Sequence, residues 1–202
     1  MLVEGITSRP VHGGIQVDLF ARRHFFALEG EGALALLAQA PALDEAFFDR
    51  CEVLYAAADA AGRGYDEALA RLKPDLFRQT PTVETLLFRL RGCLSRATMG
   101  TRLYVAGGEG FIGRCMNVAA GFGMDAGTVL TEHRGSAARR VQCVHCKGIT
   151  EDVSESPFAC SHCGLNLLVR DHYSKRLGAF QGVCIDAEEP VSASRTPEEV
   201  FQ

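Results

Sequence analysis

The sequence contains no long apolar run, no internal repeat and no strong excess of either charge. Without a stretch of about 18 apolar residues, no helix is expected to span a membrane. The net charge of −4 argues against a nucleic-acid partner, because phosphate contacts normally require a basic surface. The first residues, MLVEGITSRPVHGG, lack the basic start and apolar stretch of a secretory signal. We therefore expect a cytoplasmic protein.

Arrangements typical of catalysis are also missing. No paired carboxylates, Ser-His-Asp set or Cys-His pair stands out. Asp171 and His172 are adjacent, but an RDHY segment is more typical of a contact surface than of a catalytic site. We expect no catalytic residue in this chain.

Short apolar runs alternate with helical patterns over the first two thirds of the chain. This alternation predicts an α/β fold, a Rossmann-like parallel sheet with helices on both faces, within residues 1–136. Thr82 is expected to N-cap the strongest helix. The predicted strands are residues 24–28, 51–58, 101–108 and 128–134, and the predicted helices are residues 32–40, 65–73, 83–97 and 109–123.

Four of the eight cysteines form two C-x-x-C pairs separated by thirteen residues. This spacing is typical of a small tetracysteine metal ribbon, which we place at residues 137–170. Gly148 and Gly164 are expected to give the turns their backbone freedom, and EDVSESPF between the pairs resembles a hairpin loop. The predicted ligands are Cys143, Cys146, Cys160 and Cys163.

Other interpretations of these cysteines remain open. His145 and His162 lie inside the pairs and could replace a thiolate, although four thiolates already complete a tetrahedral site. A redox pair of the thioredoxin type would not need a second C-x-x-C. Zinc and rubredoxin-like iron both accept four sulfurs, and the short spacing favours zinc slightly. We expect Cys51, Cys93 and Cys115 to be core residues, and Cys184 has no assignment.

A glycine run after the third predicted strand offers a weak dinucleotide-binding candidate. Gly108, Gly110 and Gly113 form G-x-G-x-x-G at the start of a helix, and Glu132 lies nineteen residues beyond Gly113. The run comes late in the α/β region, and such turns also serve to pack a helix on a sheet. Packing is the favoured interpretation.

The last segment, residues 171–202, contains few residues for a core, and we expect an extended C-terminal docking arm and tail. Cationic and aromatic side chains of the kind found at interfaces begin just before it. The alternative is that this arm packs back on the α/β domain. The docking candidates are Arg170, His172, Tyr173, Lys175, Arg176 and Phe180.

The strings ARRVQCVHCKGITEDV and SPFACSHCGLNLLVRDHYSKRLGAFQGVCIDAEEP resemble the small subunit of bacterial dimethylamine monooxygenase, the DmmA family. The segment SRPVHGGIQVDLFARRHFFAL is similar to the start of that family, and the resemblance is most specific over residues 138–190. It implies a non-catalytic subunit of an NADPH-dependent enzyme that demethylates dimethylamine to methylamine and formaldehyde. A haem subunit and a flavin and iron–sulfur reductase are the implied partners, and they would hold those cofactors.

The α/β part also resembles the nucleotide-binding half of ferredoxin reductases, through LYVAGGEGFIGRCMNVAAGFGM. Those enzymes usually carry Cys-Gly-Pro in the turn, where this chain has Ala106-Gly107-Gly108, and a flavin-binding barrel precedes their domain. These features leave three candidate functions for the chain. The first is a metal-binding accessory subunit for assembly or electron relay, the second a free-standing nicotinamide-dependent oxidoreductase, and the third, disfavoured by charge, a nucleic-acid-binding zinc ribbon.

Overall fold

Five parallel strands form the centre of the first structural unit, which spans His12–Gly135. The computed structural model describes residues 8–57, 65–185 and 198–201. The strand order is β3-β2-β1-β4-β5, so the order reverses between β1 and β4. The strands are β1 (Arg23–Glu29), β2 (Cys51–Ala56), β3 (Leu76–Thr80), β4 (Thr101–Gly107) and β5 (Val129–His133).

Helices cover both faces of this sheet, because successive side chains of each strand point to opposite sides. Phe25 and Ala27 of β1 join one core, whereas Phe26 and Leu28 join the other. The first core contains α4 and α5, and the second contains α1, α2 and α3. The helices are α1 (Ala33–Leu37), α2 (Glu45–Phe48), α3 (Tyr65–Arg71), α4 (Val83–Leu94) and α5 (Glu109–Gly121).

The predicted α/β architecture is confirmed, and so are its four predicted strands. Thr82 caps α4 as expected, since its hydroxyl oxygen accepts a hydrogen bond from the Thr85 backbone at 3.2 Å. Sequence patterns missed β3, an edge strand with only one buried residue. Cys51, Cys93 and Cys115 are buried core residues, as predicted.

The second unit comprises residues up to Val11 together with the chain from Ser136 onward. Its main sheet has the order β7-β6-β11-β10-β9, in which β6 and β11 are parallel and the other neighbours antiparallel. A small second sheet pairs β8 with β12. The strands are β6 (Arg139–Cys143), β7 (Ile149–Val153), β8 (Glu155–Ser156), β9 (Phe158–Ala159), β10 (Asn166–Ser174), β11 (Ala179–Cys184) and β12 (Glu198–Glu199).

This unit corrects two expectations. Residues 171–184 are not an extended arm, because β10 and β11 form an antiparallel hairpin within the sheet. Phe180 is only 1% exposed and packs with Val141 and Val153. The segment between the cysteine pairs is not a simple loop either, since it contains β7, β8 and β9. Of the predicted arm beyond residue 184, residues 185 and 198–201 are described, whereas residues 186–197 and 202 lie outside the described residues.

Within the described ranges, the structure has no helix of the length and apolar character that crossing a membrane requires.

Candidate metal centre

The two C-x-x-C turns have the same backbone geometry. The N–H of Lys147 donates to Cys143 O at 3.0 Å, and the N–H of Gly164 donates to Cys160 O at 2.9 Å. The residue after each pair takes a left-handed conformation, with φ of 64° at Lys147 and 74° at Gly164. The prediction was therefore correct for Gly164 and wrong for Gly148, because Lys147 takes the left-handed position in the first turn.

Gly148 is needed for a close contact between the turns. A Cβ atom there would lie 2.5 Å from ring atoms of His162, well inside van der Waals contact. His162 Nε2 also lies 2.8 Å from the carbonyl oxygen of Ile149, so the ring bridges the second turn to the first. His162 thus acts as a packing residue beside the cysteines, and His145 is exposed.

The four sulfur atoms form one cluster. All lie within 4.8 Å of one another, with 3.9 Å between Cys143 and Cys163 and 3.8 Å between Cys146 and Cys160. In a tetrahedral zinc site with bonds of about 2.3 Å, neighbouring sulfurs lie about 3.8 Å apart. The cysteines therefore have the separation and the donor chemistry that a tetrathiolate metal ion requires.

The cluster lies at the edge of a small core. Cys143 and Cys160 are buried with Leu167, whereas Cys146 is exposed. The backbone N–H of Gly148 donates to the Cys146 sulfur at 3.4 Å. One side of the site is thus covered by protein and the other faces solvent.

Two thiols of the cluster, those of Cys160 and Cys163, have pKa values shifted in opposite directions. Burial opposes ionisation of Cys160, but backbone hydrogen bonds from Cys163 and His162 and the neighbouring thiols lower its pKa to about 6. A backbone hydrogen bond from Leu165 favours the Cys163 thiolate, yet burial and the adjacent thiols raise the pKa of Cys163 to about 12. Outside the cluster, burial raises the pKa of the Cys51 and Cys93 thiols to about 12, which suits inert core residues.

The glycine run lies at the carboxyl end of the parallel sheet, where α/β proteins often bind ligands. The backbone N–H of Gly108, at the start of α5, donates to the Glu29 carboxylate at 3.0 Å. Gly110 and Gly113 lie within α5. Glu132 accepts hydrogen bonds from the Ile15 backbone at 2.8 Å and from Arg134 at 2.6 Å. Gly108 and Glu132 are thus engaged by side chains and backbone of the same unit.

A polar cluster beside this run was not predicted. His12 Nδ1 lies 2.9 Å from Thr131 Oγ1, and His12 Nε2 lies 3.2 Å from Glu109 Oε1. The partners are 119 and 97 residues apart in sequence, so no local pattern reveals the cluster. The available signal was that Thr131 and Glu109 lie in or directly after neighbouring strands, whose carboxyl ends meet at one edge.

The predicted docking residues do not form one exposed set. His172, Lys175 and Arg176 are exposed, and Arg170 and Tyr173 are half-buried. The Tyr173 ring packs edge-on against buried Phe180, with centroids 5.0 Å apart. The exposed members lie at the end of the β10–β11 hairpin.

Arg139 is an important residue of this unit that sequence reasoning missed. Its guanidinium lies 4.2 Å from the ring centroid of Phe180 and 3.9 Å from that of Phe201, and it pairs with Asp171 at 2.8 Å. The backbone N–H groups of Val200 and Phe201 donate to Ser154 O at 3.0 and 2.9 Å. Residues 200 and 201 are thereby held against Ser154 and Arg139 of the second unit.

Comparison with known proteins adds independent findings. Residues 4–129 match the family described as dimethylamine monooxygenase subunit DmmA-like, N-terminal domain, and residues 140–183 match its C-terminal domain. A relative from Ectopseudomonas mendocina (strain ymp), the heme-dependent oxidative N-demethylase delta subunit, is 36% identical over 110 residues. That region covers 54% of this chain and 63% of the relative.

Solved structures show weaker similarity. An intact type IV self-sufficient cytochrome P450 monooxygenase aligns with 16% identity and a TM-score of 0.48, over 84% of this chain and 28% of that one. Flavohemoglobin from Malassezia yamatoensis aligns with 12% identity and a TM-score of 0.42, over 59% of this chain and 33% of that one.

Proposed function

The chain belongs to the DmmA-like family of dimethylamine monooxygenase subunits, and from this membership we propose that it is a metal-binding accessory subunit of a haem-dependent oxidative N-demethylase. The proposed reaction converts dimethylamine to methylamine and formaldehyde. A haem-containing subunit would carry out the oxygen chemistry, and a flavin and iron–sulfur reductase would supply electrons from NADPH. The name of the 36% identical relative supports this assignment.

The observation that carries the proposal is the four-sulfur cluster of Cys143, Cys146, Cys160 and Cys163. A metal held by four protein thiolates has no open position for oxygen or substrate. Such an ion can stabilise the fold or, if it is iron, transfer one electron. An accessory role fits this closed donor set better than a catalytic one.

Assembly is the first proposed task of the cluster, and electron relay is the second. The exposed position of Cys146 supports relay, because it brings one candidate ligand residue to the surface, where a partner can reach it. Zinc would limit the site to a structural task, whereas iron would permit relay.

Metal analysis and visible spectroscopy of the purified complex test both tasks. We expect one metal ion per chain, lost in a Cys143→Ser variant and retained in a Cys184→Ser variant. Thiolate-to-iron absorption bands would support relay, and a colourless zinc protein would leave assembly alone. A chain that binds no metal after expression in medium containing zinc and iron would overturn the proposal.

We propose that the exposed end of the β10–β11 hairpin contacts the haem-containing subunit. His172, Lys175 and Arg176 supply the exposed cationic and polar groups, whereas buried Phe180 cannot serve as an anchor. A deletion of residues 171–190 would remove strands, so point variants are the better test. Lys175→Glu with Arg176→Glu should reduce co-purification with the haem-containing subunit, and normal recovery would exclude this contact.

A nicotinamide-dependent oxidoreductase using Gly108–Gly113 is the alternative. Two contacts argue against it. The Glu29 carboxylate accepts the Gly108 N–H where a phosphate would bind at the start of α5, and Glu132 is held by Ile15 and Arg134. Calorimetric titration with millimolar NADPH is expected to show no binding. Saturable binding that is lost on Gly108→Val substitution would restore the alternative.

A further inference from the structure

Helix α4 presents an outer face that the α/β unit does not cover. Its inner stripe of leucines and Cys93 is buried, whereas Phe88 on the outer side is 71% exposed. Phe88 and Gly92 are four residues apart and therefore adjacent on the helix surface. Arg89 and Arg91 lie on either side of them and are exposed. The result is an aromatic ring beside a bare stretch of backbone, flanked by two guanidinium groups.

The internal position of Gly92 has no explanation within the described chain. A Cβ atom at Gly92 would meet nothing within 4 Å. Glycine in the interior of a helix is unfavourable relative to alanine, because it costs more backbone entropy on folding. A helix that retains glycine on an exposed face is suited to close approach by another molecule.

The balance of charged residues around α4 also differs from that of the whole chain. Residues 76–108 contain five arginines, no lysine and one glutamate, in a chain of net charge −4. The glutamate, Glu84, pairs with Arg114, and Arg96 pairs with Glu52. Among the described residues, Arg89 and Arg91 have no acidic partner. Arginine and exposed aromatic rings are the groups most enriched at protein interfaces.

We propose that the α4 face, defined by Phe88, Arg89, Arg91 and Gly92, docks an acidic surface of a partner subunit. Phe88 would enter an apolar recess, carboxylates of the partner would pair with the two arginines, and Gly92 would allow close backbone approach. The inference rests on the proposed function, because the partner is a subunit of the same demethylase. It adds a second contact surface, on the other structural unit from the β10–β11 hairpin.

Binding measurements on the full chain test this docking. The partner subunits, co-expressed and purified without this chain, are titrated with wild-type protein and with variants by calorimetry. Phe88→Ala is expected to weaken binding more than about tenfold. Arg89→Glu with Arg91→Glu should weaken it further and should reduce its dependence on salt concentration, because the paired charges are lost.

A matched control changes the same net charge elsewhere. Arg71, the last residue of α3, and Lys73, two residues beyond it, are both exposed, and α3 packs on the opposite face of the sheet. Arg71→Glu with Lys73→Glu is expected to leave binding within about twofold of wild type, which is the size of effect usual for an uninvolved surface charge. An equal loss in this control would mean that net charge alone drives association, and it would overturn the docking site.

Two substitutions of Gly92 separate folding from docking. Gly92→Ala should raise the melting temperature by a few degrees, since it favours the helix. Gly92→Leu should fold normally, yet weaken binding at least tenfold if the partner backbone approaches that position. Unchanged binding of Gly92→Leu and Phe88→Ala would overturn the inference while leaving the proposed function intact.

The remaining outcomes are equally decisive. If the wild-type chain does not bind its partner subunits, the proposed function fails and the docking surface fails with it. If sedimentation shows that the isolated chain self-associates and that Phe88→Ala abolishes this, a second copy covers the face, and the acidic-partner assignment is wrong.

Discussion

At the scale of single residues, the two cysteine turns are equivalent in backbone but not in side chains. Lys147 and Gly164 take the same left-handed conformation, although only glycine does so without steric cost. Glycine occurs instead at residue 148, where the His162 ring leaves no space for a Cβ. From the sequence, Gly148 was expected to provide backbone freedom for the turn. A glycine beside a turn can serve either that purpose or a tight contact, and the sequence does not distinguish the two.

Gly148→Ala should therefore weaken metal binding. The new methyl group would force His162 to move, at a cost of about 1–3 kcal/mol typical of overpacking. Competition between the protein and a zinc chelator measures the loss. In a His162→Ala background the same substitution should have a much smaller effect, since the obstructing ring is gone. An equal loss in both backgrounds would contradict the contact.

His24 should make the α/β unit sensitive to acid. The side chain is fully buried, and Nε2 has no hydrogen-bond partner among the described residues. Burial, with a smaller contribution from the Arg50 cation, lowers the pKa of His24 from 6.5 to about 4. The unfolded chain binds a proton below about pH 6.5, and the folded chain does so only below about pH 4. Stability is therefore lost as pH falls through this range.

The loss attributable to His24 is about 2 kcal/mol between pH 7 and pH 5. Urea denaturation at several pH values measures it. A His24→Phe variant, whose ring can pack against Phe47 as the imidazole does, should lose less stability over this range than wild type. Identical pH profiles would show that folding does not shift the pKa of His24.

At the scale of secondary-structure elements, prediction succeeded where one periodicity dominated the sequence. Each residue of β2 is buried, and the apolar residues on both faces of this segment identified it as a strand covered on both sides. Prediction failed for β3 and β10, each of which has only one buried residue and carries charged residues. The edge position of β3 and the charged residues of β10 remove the regular alternation that marks a strand. Only pairing with β2 or β11 shows that these segments are strands.

The start of α4 provides a test of a local signal that was correctly interpreted. Thr82→Ala removes the hydroxyl oxygen that accepts the Thr85 N–H, and it should cost about 1 kcal/mol of unfolding free energy. Thr82→Ser retains the acceptor and should cost clearly less. Urea denaturation of the two variants measures the difference. Equal losses would mean that the cap contributes little and that packing of the threonine methyl group matters more.

At the scale of the whole molecule, the four clustered cysteines could be predicted, whereas the contacts between distant segments of each unit could not. The C-x-x-C spacing identified the four cysteines, because ligands of one turn are close in sequence. The ion pair of Arg139 with Asp171 and the contact of His12 with Thr131 join residues far apart. Such contacts depend on the order of strands in a sheet, which local patterns do not encode.

Removal of the metal should affect the two units differently. The second unit, which contains the cysteine cluster and is called the ribbon unit below, has two small cores. One is built around Val141, Val153 and Phe180, and the other around the cysteines with Leu167. Units with cores of this size rarely fold without a bound metal ion, a disulfide bond or an oligomeric partner. After treatment with a strong chelator, amides of residues 139–184 should lose protection from hydrogen exchange, whereas those of residues 23–133 should keep it.

A Cys143→Ser variant should reproduce this exchange pattern without a chelator. Protection lost evenly along the chain, or retained throughout, would contradict a metal requirement confined to the ribbon unit.

The ribbon unit is discontinuous in sequence, and this has a consequence for biosynthesis. Ser8 donates through both its backbone N–H and its hydroxyl group to Asp171 O, across 163 residues. Strand β6 also pairs with β11, which follows it in the sequence by almost 40 residues. On the ribosome, residues 12–135 can therefore fold while the chain is still growing, whereas the ribbon unit must wait for β11 to emerge. The cysteines of the first turn would meanwhile remain accessible to oxidants and to competing metal ions.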